Sequence, residues 1–133
     1  MAPAKAMLIF FEESELACPT TGELVLAPGF GAALDALRAA YGAPMRLSSA
    51  CRTAERNRRI GGHPRSLHLI ANAAHSTDTC AVDVIMSDGA ARRKLVEAAL
   101  SQKWSVGVAS NFIHVDQRSA HTGLPQVLYH YRR

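Results

Sequence analysis

The chain has 133 residues, 48% of them hydrophobic, and a formal net charge of +4. This length fits one domain with one core, and this composition argues against intrinsic disorder. The apolar run at residues 7–11 is too short for a signal-peptide core or a membrane span, so we expect no signal peptide and no membrane segment. Three cysteines without a CxxC motif provide no disulfide framework.

The predicted elements are helices with a 3.6-residue apolar period and short strands with alternating apolar side chains. Gly42 stops the first long helix, and Thr53 is available to cap a polar one. In chain order we predict an extended lead-in (1–11), a helical turn (12–17), a helix from Pro28 or Gly29 to Gly42, a strand (45–49), a polar helix (53–59), a strand (81–86), a helix capped by Ser87 or Asp88, a hairpin (105–108 and 112–117), and a loop from Arg118 with an edge strand (126–131).

Short strands joined locally and interleaved with helices predict an α+β fold with a small antiparallel sheet flanked by helices. The sequence shows no internal repeat, low-complexity segment or linker. We therefore expect residues 1–133 to form a single domain.

Three polar residues occupy positions where a side chain needs a partner. His114 and Asp83 each lie within a predicted strand between β-branched neighbours, and His68 ends the segment Arg-Ser-Leu-His. A buried aspartate costs free energy unless it is paired or binds a metal. Imidazole nitrogen and carboxylate oxygen are zinc ligands, and a catalytic zinc keeps one position for water. We interpret the three as ligands of Zn²⁺; the alternative for each is a hydrogen-bonded core residue or a structural ion pair.

Two further residues are candidates for catalysis. Asp116 lies two positions past His114, so on a strand both side chains share a face. Asp116 is therefore either the base that takes a proton from the attacking water or a group that orients the imidazole. Arg52 follows a predicted strand, where a guanidinium can bind a substrate carboxylate or stabilise an oxyanion.

Five segments with distinctive residues occur in a fixed order. In this combination the chain resembles the zinc D-alanyl-D-alanine carboxypeptidase superfamily, especially the short phage-type murein peptidases with a Hedgehog-like fold. The segments are Glu-Leu-Ala-Cys (15–18) with Gly22, Leu-Ser-Ser-Ala-Cys-Arg-Thr (47–53), Asn57 with Gly-Gly-His-Pro-Arg-Ser-Leu-His-Leu (61–69), Ala-Val-Asp-Val (81–84), and Gly107 with Phe-Ile-His-Val-Asp-Gln-Arg (112–118).

The resemblance implies specific roles for residues of this chain. It implies zinc on His68, Asp83 and His114, and catalytic help from Asp116. It implies substrate contact through Arg52, and we expect further substrate contacts from the segment that carries the first zinc histidine. The residues we expect to bind substrate are Arg52, Ser66 and His63, and those we expect to line the cleft are His63, His75 or His121.

The chain departs from the family pattern at two places. The family motif HxxGxAxD is interrupted here by eight residues, from Ala71 to Asp78, which we call the insertion, and Thr79 replaces its glycine. We expect a surface loop beside the site. Within it, His75 and Asp78 compete for ligand status, and the alternative assignment replaces His68 by His75. The second departure is Asn111, an amide at the position where some family branches carry an acidic base.

The expected function is that of a zinc metallopeptidase that cleaves a peptide bond in the stem peptide of bacterial peptidoglycan. Without a signal peptide, the protein is expected to stay cytoplasmic until lysis releases it, or to be virion-associated, and then to act on the cell wall. One alternative is a catalytically inactive cell-wall-binding or virion structural module on the same fold. A nucleic-acid binder is disfavoured, because the basic tract from Arg52 to Arg65 lacks the interleaved aromatic residues used for base stacking.

Overall fold

A computed structural model describes residues 8–131, and the first seven residues of the predicted lead-in lie outside this part. The described residues form five helices and five strands, so the predicted α+β class is confirmed. The elements are α1 (Glu13–Leu16), α2 (Phe30–Tyr41), β1 (Leu47–Ser49), α3 (Ala54–Arg59), β2 (Ala81–Ile85), α4 (Gly89–Ser101), β3 (Ser105–Val108), β4 (Phe112–Asp116), α5 (Arg118–His121) and β5 (Leu128–His130).

Local sequence signals explain where the helices begin and end. Gly42 ends α2 in a left-handed conformation with φ of 81°, a region in which glycine avoids the steric cost of a side chain. The Thr53 side chain caps α3 by accepting a hydrogen bond from the Arg56 amide. Asp88 caps α4 in the same way. Within residues 8–131, no helix has the length and apolar character needed to cross a bilayer.

The strands form one sheet in the order β1-β2-β4-β3-β5. The first three neighbouring pairs are antiparallel, as predicted, whereas β5 pairs with β3 in parallel. The reason is that the chain leaves β4 and enters β5 at the same end of the sheet. The strand β5 is therefore antiparallel in direction to β4 and parallel to β3, which lies between them in the sheet. The connection also contains α5, in a stretch predicted to be a loop.

The sheet has one apolar and one polar face, because successive side chains of a strand point to opposite sides. The apolar face joins the helices in one core cluster, in which Phe30 of α2 contacts Trp104 edge-on with ring centroids 5.5 Å apart. The buried strand residues of this face are Val82, Val84, Val106, Ile113 and Val115. With that face committed to the core, the alternate positions of β2 and β4 are left to carry polar chemistry.

Candidate metal centre

The structure brings the three predicted ligands together on the polar face of the sheet. Asp83 on β2 and His114 on β4 are direct register partners, so their side chains project from the same face. The third residue, His68, lies outside the sheet. Its carbonyl oxygen accepts hydrogen bonds from the Arg52 amide and from the Thr79 hydroxyl, each at 2.9 Å. These bonds fix the backbone from which the imidazole reaches the strand pair.

The ligand atoms of the three residues converge on one point. One side-chain nitrogen or oxygen from each of His68, Asp83 and His114 lies within 4.8 Å of the others. The Oδ1 atom of Asp83 is 3.2 Å from His68 Nε2 and 2.8 Å from His114 Nδ1. All three side chains are buried, with relative exposures of 3%, 7% and 6%. Polar groups withdrawn from water in this way require either one another or a bound cation.

The remaining ring nitrogens fix which imidazole atom faces the cluster. His68 Nδ1 lies 2.8 Å from the Ala50 carbonyl oxygen, which only accepts hydrogen bonds, so Nδ1 carries the proton. His114 Nε2 lies 2.8 Å from Asp116 Oδ2 and donates to it. The Nε2 atom of His68 and the Nδ1 atom of His114 therefore face Asp83. Two imidazole nitrogens and a carboxylate form a donor set that fits zinc with three protein ligands.

Asp116 has no oxygen atom free for another partner. Its Oδ2 accepts from His114 and, at 2.7 Å, from Arg118 Nη2. Its Oδ1 accepts from the Arg118 amide and Nε, both at 3.0 Å. Burial alone would raise the pKa of Asp116, but these hydrogen bonds outweigh burial and lower it to about 2. The arrangement favours the second of the two predicted roles, orientation of the His114 imidazole.

The two histidines of the cluster differ in pKa, because their surroundings differ. Burial disfavours a charged His114, but hydrogen bonds to Asp116 and Asp83 outweigh it and raise the pKa of His114 to about 9. At His68 burial is the stronger effect, and the pKa is lowered. Burial would raise the pKa of Asp83, yet the two imidazoles lower it. Without a metal, His114 therefore carries a proton that a cation would displace.

Arg52 is held beside the cluster by its neighbours. Its Nε donates to Ser49 Oγ at 3.0 Å, and its Nη1 donates to Asn57 Oδ1 at 3.2 Å. Its Nη2 lies 3.6 Å from Asp83 Oδ2. A side chain at Gly62 would overlap the Asn57 amide, so the glycine provides the space that Asn57 occupies. The guanidinium is thus fixed in direction by contacts within the protein itself.

One cavity of about 670 Å³ is lined by the three predicted zinc ligands, by Asp116 and by the residues predicted to bind substrate. Ser66 and His63 are among its lining residues, and the Ser66 hydroxyl accepts a hydrogen bond from the His68 amide at 3.2 Å. His75 also lines this cavity. His121, another predicted lining residue, does not line this cavity and instead lines a second one together with residues of the insertion.

The insertion closes on itself through hydrogen bonds between its own residues. Asn72 and Thr77 exchange backbone hydrogen bonds of 2.8 and 3.3 Å, and Asp78 Oδ1 accepts from the Ala71 amide at 2.9 Å. The loop therefore begins and ends at neighbouring points. Among residues 8–131, the convergent cluster contains His68 and not His75, so the alternative ligand assignment has no geometric support.

Two tyrosines for which the sequence predicted no role also line the cavity. Tyr129 and Tyr131 lie on alternate positions of the β5 segment, with ring centroids 6.3 and 6.4 Å from that of His114. A side chain at Gly107 would approach the Tyr129 ring to 2.6 Å, so the glycine leaves room for the tyrosine. Their i, i+2 spacing was the available signal, but the parallel pairing of β5 decides which face they occupy.

Comparison with protein families gives one result that agrees with this geometry. The family model described as Peptidase M15 matches residues 11–116, which include every residue of the metal cluster and leave out β5. No curated protein and no solved structure matches the chain.

Proposed function

The chain belongs to the peptidase M15 family, and on this premise we propose that it is a zinc metallopeptidase that hydrolyses a peptide bond in the stem peptide of bacterial peptidoglycan. The proposed unit of activity is the single domain of residues 1–133. In this role the protein reaches the cell wall after lysis or as part of a phage particle.

The observation that carries the proposal is the buried cluster of His68, Asp83 and His114 in the wall of a substrate-sized cavity. These residues would hold the zinc ion. When bound, zinc supplies Lewis-acid activation of water and of the scissile carbonyl. A structural ion pair would account for the contacts, but it would not require the donors to face a cavity of this size.

The charges around the cavity support an anionic peptide as substrate. Arg52, Arg65 and Arg118 line it, and the stem peptide of peptidoglycan carries free carboxylates. In the proposal, Arg52 binds a substrate carboxylate or the developing oxyanion, because its guanidinium is already oriented beside the cluster. Ser66 and His63 contact the peptide on the same side.

Digestion of purified stem-peptide fragments (muropeptides) tests this function. The zinc-loaded protein should release products detectable by mass spectrometry, and a chelator should abolish the release. The product masses distinguish D-Ala-D-Ala carboxypeptidase activity from endolysin-type cleavage between L-Ala and D-Glu. Asp83→Asn should be inactive, whereas Glu97→Gln, which changes an exposed carboxylate on α4, should match the wild type. Zinc-loaded protein without chelator-sensitive cleavage would refute the enzyme proposal.

A specific observation favours the alternative of an inactive wall-binding or virion structural module. Among the described residues that line the cavity, the only carboxylates are Asp83, which belongs to the metal cluster, and Asp116, whose two oxygens both accept hydrogen bonds. The alternative predicts muropeptide binding without turnover, so titration of the same fragments alongside the digestion separates the two functions.

A further inference from the structure

The proposed peptidase requires a group that moves a proton from the attacking water to the leaving amine. The two carboxylates of the cavity are committed to hydrogen bonds, and Asn111, in the turn between β3 and β4, is exposed and does not line the cavity. Imidazole is the remaining side chain suited to this step near neutral pH.

Within the described part of the chain, four histidines line the cavity, and three of them already have partners for their rings. His68 and His114 belong to the metal cluster. His63 Nδ1 accepts a hydrogen bond from the Arg65 amide at 3.0 Å, so its lone pair is used and its proton is on Nε2. Within residues 8–131, the ring of His75 has no hydrogen-bond partner, and only its backbone amide is bonded.

The position of His75 is set by the insertion that carries it. Asn72, only 3% exposed, accepts from the His75 amide at 3.1 Å. The Asn72 side-chain nitrogen donates to the Ser66 carbonyl at 2.9 Å and to the Arg65 carbonyl at 3.2 Å. One buried amide thus ties the loop to the segment that leads into His68. The half-buried His75 is held at the cavity wall by this contact.

We propose that His75, supplied by the insertion, is the catalytic proton carrier of this enzyme. The assignment rests on the proposed peptidase function. In the step, the attacking water gives one proton to the neutral His75 ring as its oxygen bonds to the carbonyl carbon. The C–N bond then breaks, and the His75 imidazolium returns that proton to the leaving nitrogen. Water and peptide become a carboxylic acid and an amine, and His75 ends neutral.

The test compares zinc-loaded wild type with His75→Ala, His75→Gln and the control His130→Ala, which removes an exposed imidazole on β5. General acid–base catalysis contributes about 10²–10⁴-fold, so both His75 variants should lose at least about 100-fold in kcat. His130→Ala should retain wild-type activity. All variants should bind zinc with unchanged stoichiometry. Added imidazole should restore part of the activity of His75→Ala but not of His75→Gln, in which the glutamine fills the space.

A second readout does not depend on turnover. In the zinc-loaded wild type, the His75 ring resonances, assigned by their loss in His75→Ala, should shift when the cleaved stem-peptide product is added. If the wild type turns over and the kcat of His75→Ala is within about threefold of the wild-type value, the inference is overturned, because this loss is well below the expected catalytic contribution. The peptidase function would remain intact. Loss of zinc from His75→Ala also overturns it, since His75 would then support the metal centre. A wild type without chelator-sensitive cleavage overturns both.

Discussion

The metal cluster and the insertion contribute to one cavity but are positioned by different means. Asp83 and His114 are placed by the register of two central strands, which also bury the apolar residues of the opposite face. The insertion is placed by a few hydrogen bonds, chiefly those of Asn72. A one-residue shift of register would move Asp83 or His114 to the wrong face of the sheet, whereas a loop changes length at small cost. The metal cluster therefore constrains the sequence more strictly than the insertion does.

The largest loss of zinc affinity is expected when a ligand of the metal cluster is removed. Asp83→Asn keeps the shape but removes the anionic donor. Changes to groups that only contact ligands cost about 10–100-fold in metal affinity, so loss of a ligand should weaken zinc binding by more than about 100-fold. Competition with a chromogenic chelator measures this, with Glu97→Gln as the control. An Asp83→Asn protein with wild-type affinity would exclude Asp83 as a ligand.

The next largest loss of zinc affinity is expected for Asp116, which accepts a hydrogen bond from the ligand His114. Asp116→Asn replaces the acceptor that orients His114 Nε2, so zinc affinity should fall by about 10–100-fold, with a similar or smaller loss of activity in excess zinc. Isothermal titration and kinetics at saturating zinc separate the two effects. Unchanged zinc affinity combined with a loss of activity beyond about 10³-fold would instead identify Asp116 as the base.

The proton on His114 makes zinc binding depend on pH. Because its folded pKa of about 9 exceeds its unfolded value, this group stabilises the metal-free protein fully below about pH 6.5, and that contribution is lost as pH rises through 9. Zinc must displace the same proton, so its affinity should rise about tenfold per pH unit between these limits. The difference in Tm between zinc-loaded and chelated protein should therefore widen from pH 6.5 to 9. A constant difference would contradict the assignment of His114 Nδ1 as a ligand.

The smallest effect on zinc affinity is expected for a change in the insertion. Asn72→Ala removes the buried amide that anchors the insertion and should lower the free energy of unfolding by about 1–3 kcal/mol. Zinc affinity should change by less than about tenfold, below the effect of groups that contact ligands. Asn111→Ala, in an exposed turn, is the matched control and should be neutral in both measurements. Loss of zinc from Asn72→Ala would show that the metal cluster depends on the insertion for its structure.

Much of the fold follows from local signals. The caps Thr53 and Asp88, the stop at Gly42 and the hairpin of β3 and β4 are observed where the sequence predicts them. The parallel pairing of β5 was missed because pairing partners depend on which side of the sheet the chain returns to. No local pattern encodes that choice.

The sequence by itself determined Asp83 and His114 as candidate ligands, because an aspartate or histidine between apolar strand residues must find a partner wherever the strand is buried. Only the tertiary structure decided how the other groups are used. It occupied both oxygens of Asp116, carried His75 to the cavity wall and placed two tyrosines beside His114. These outcomes depend on contacts between segments far apart in the chain, which form only when the sheet and its loops close around a common space.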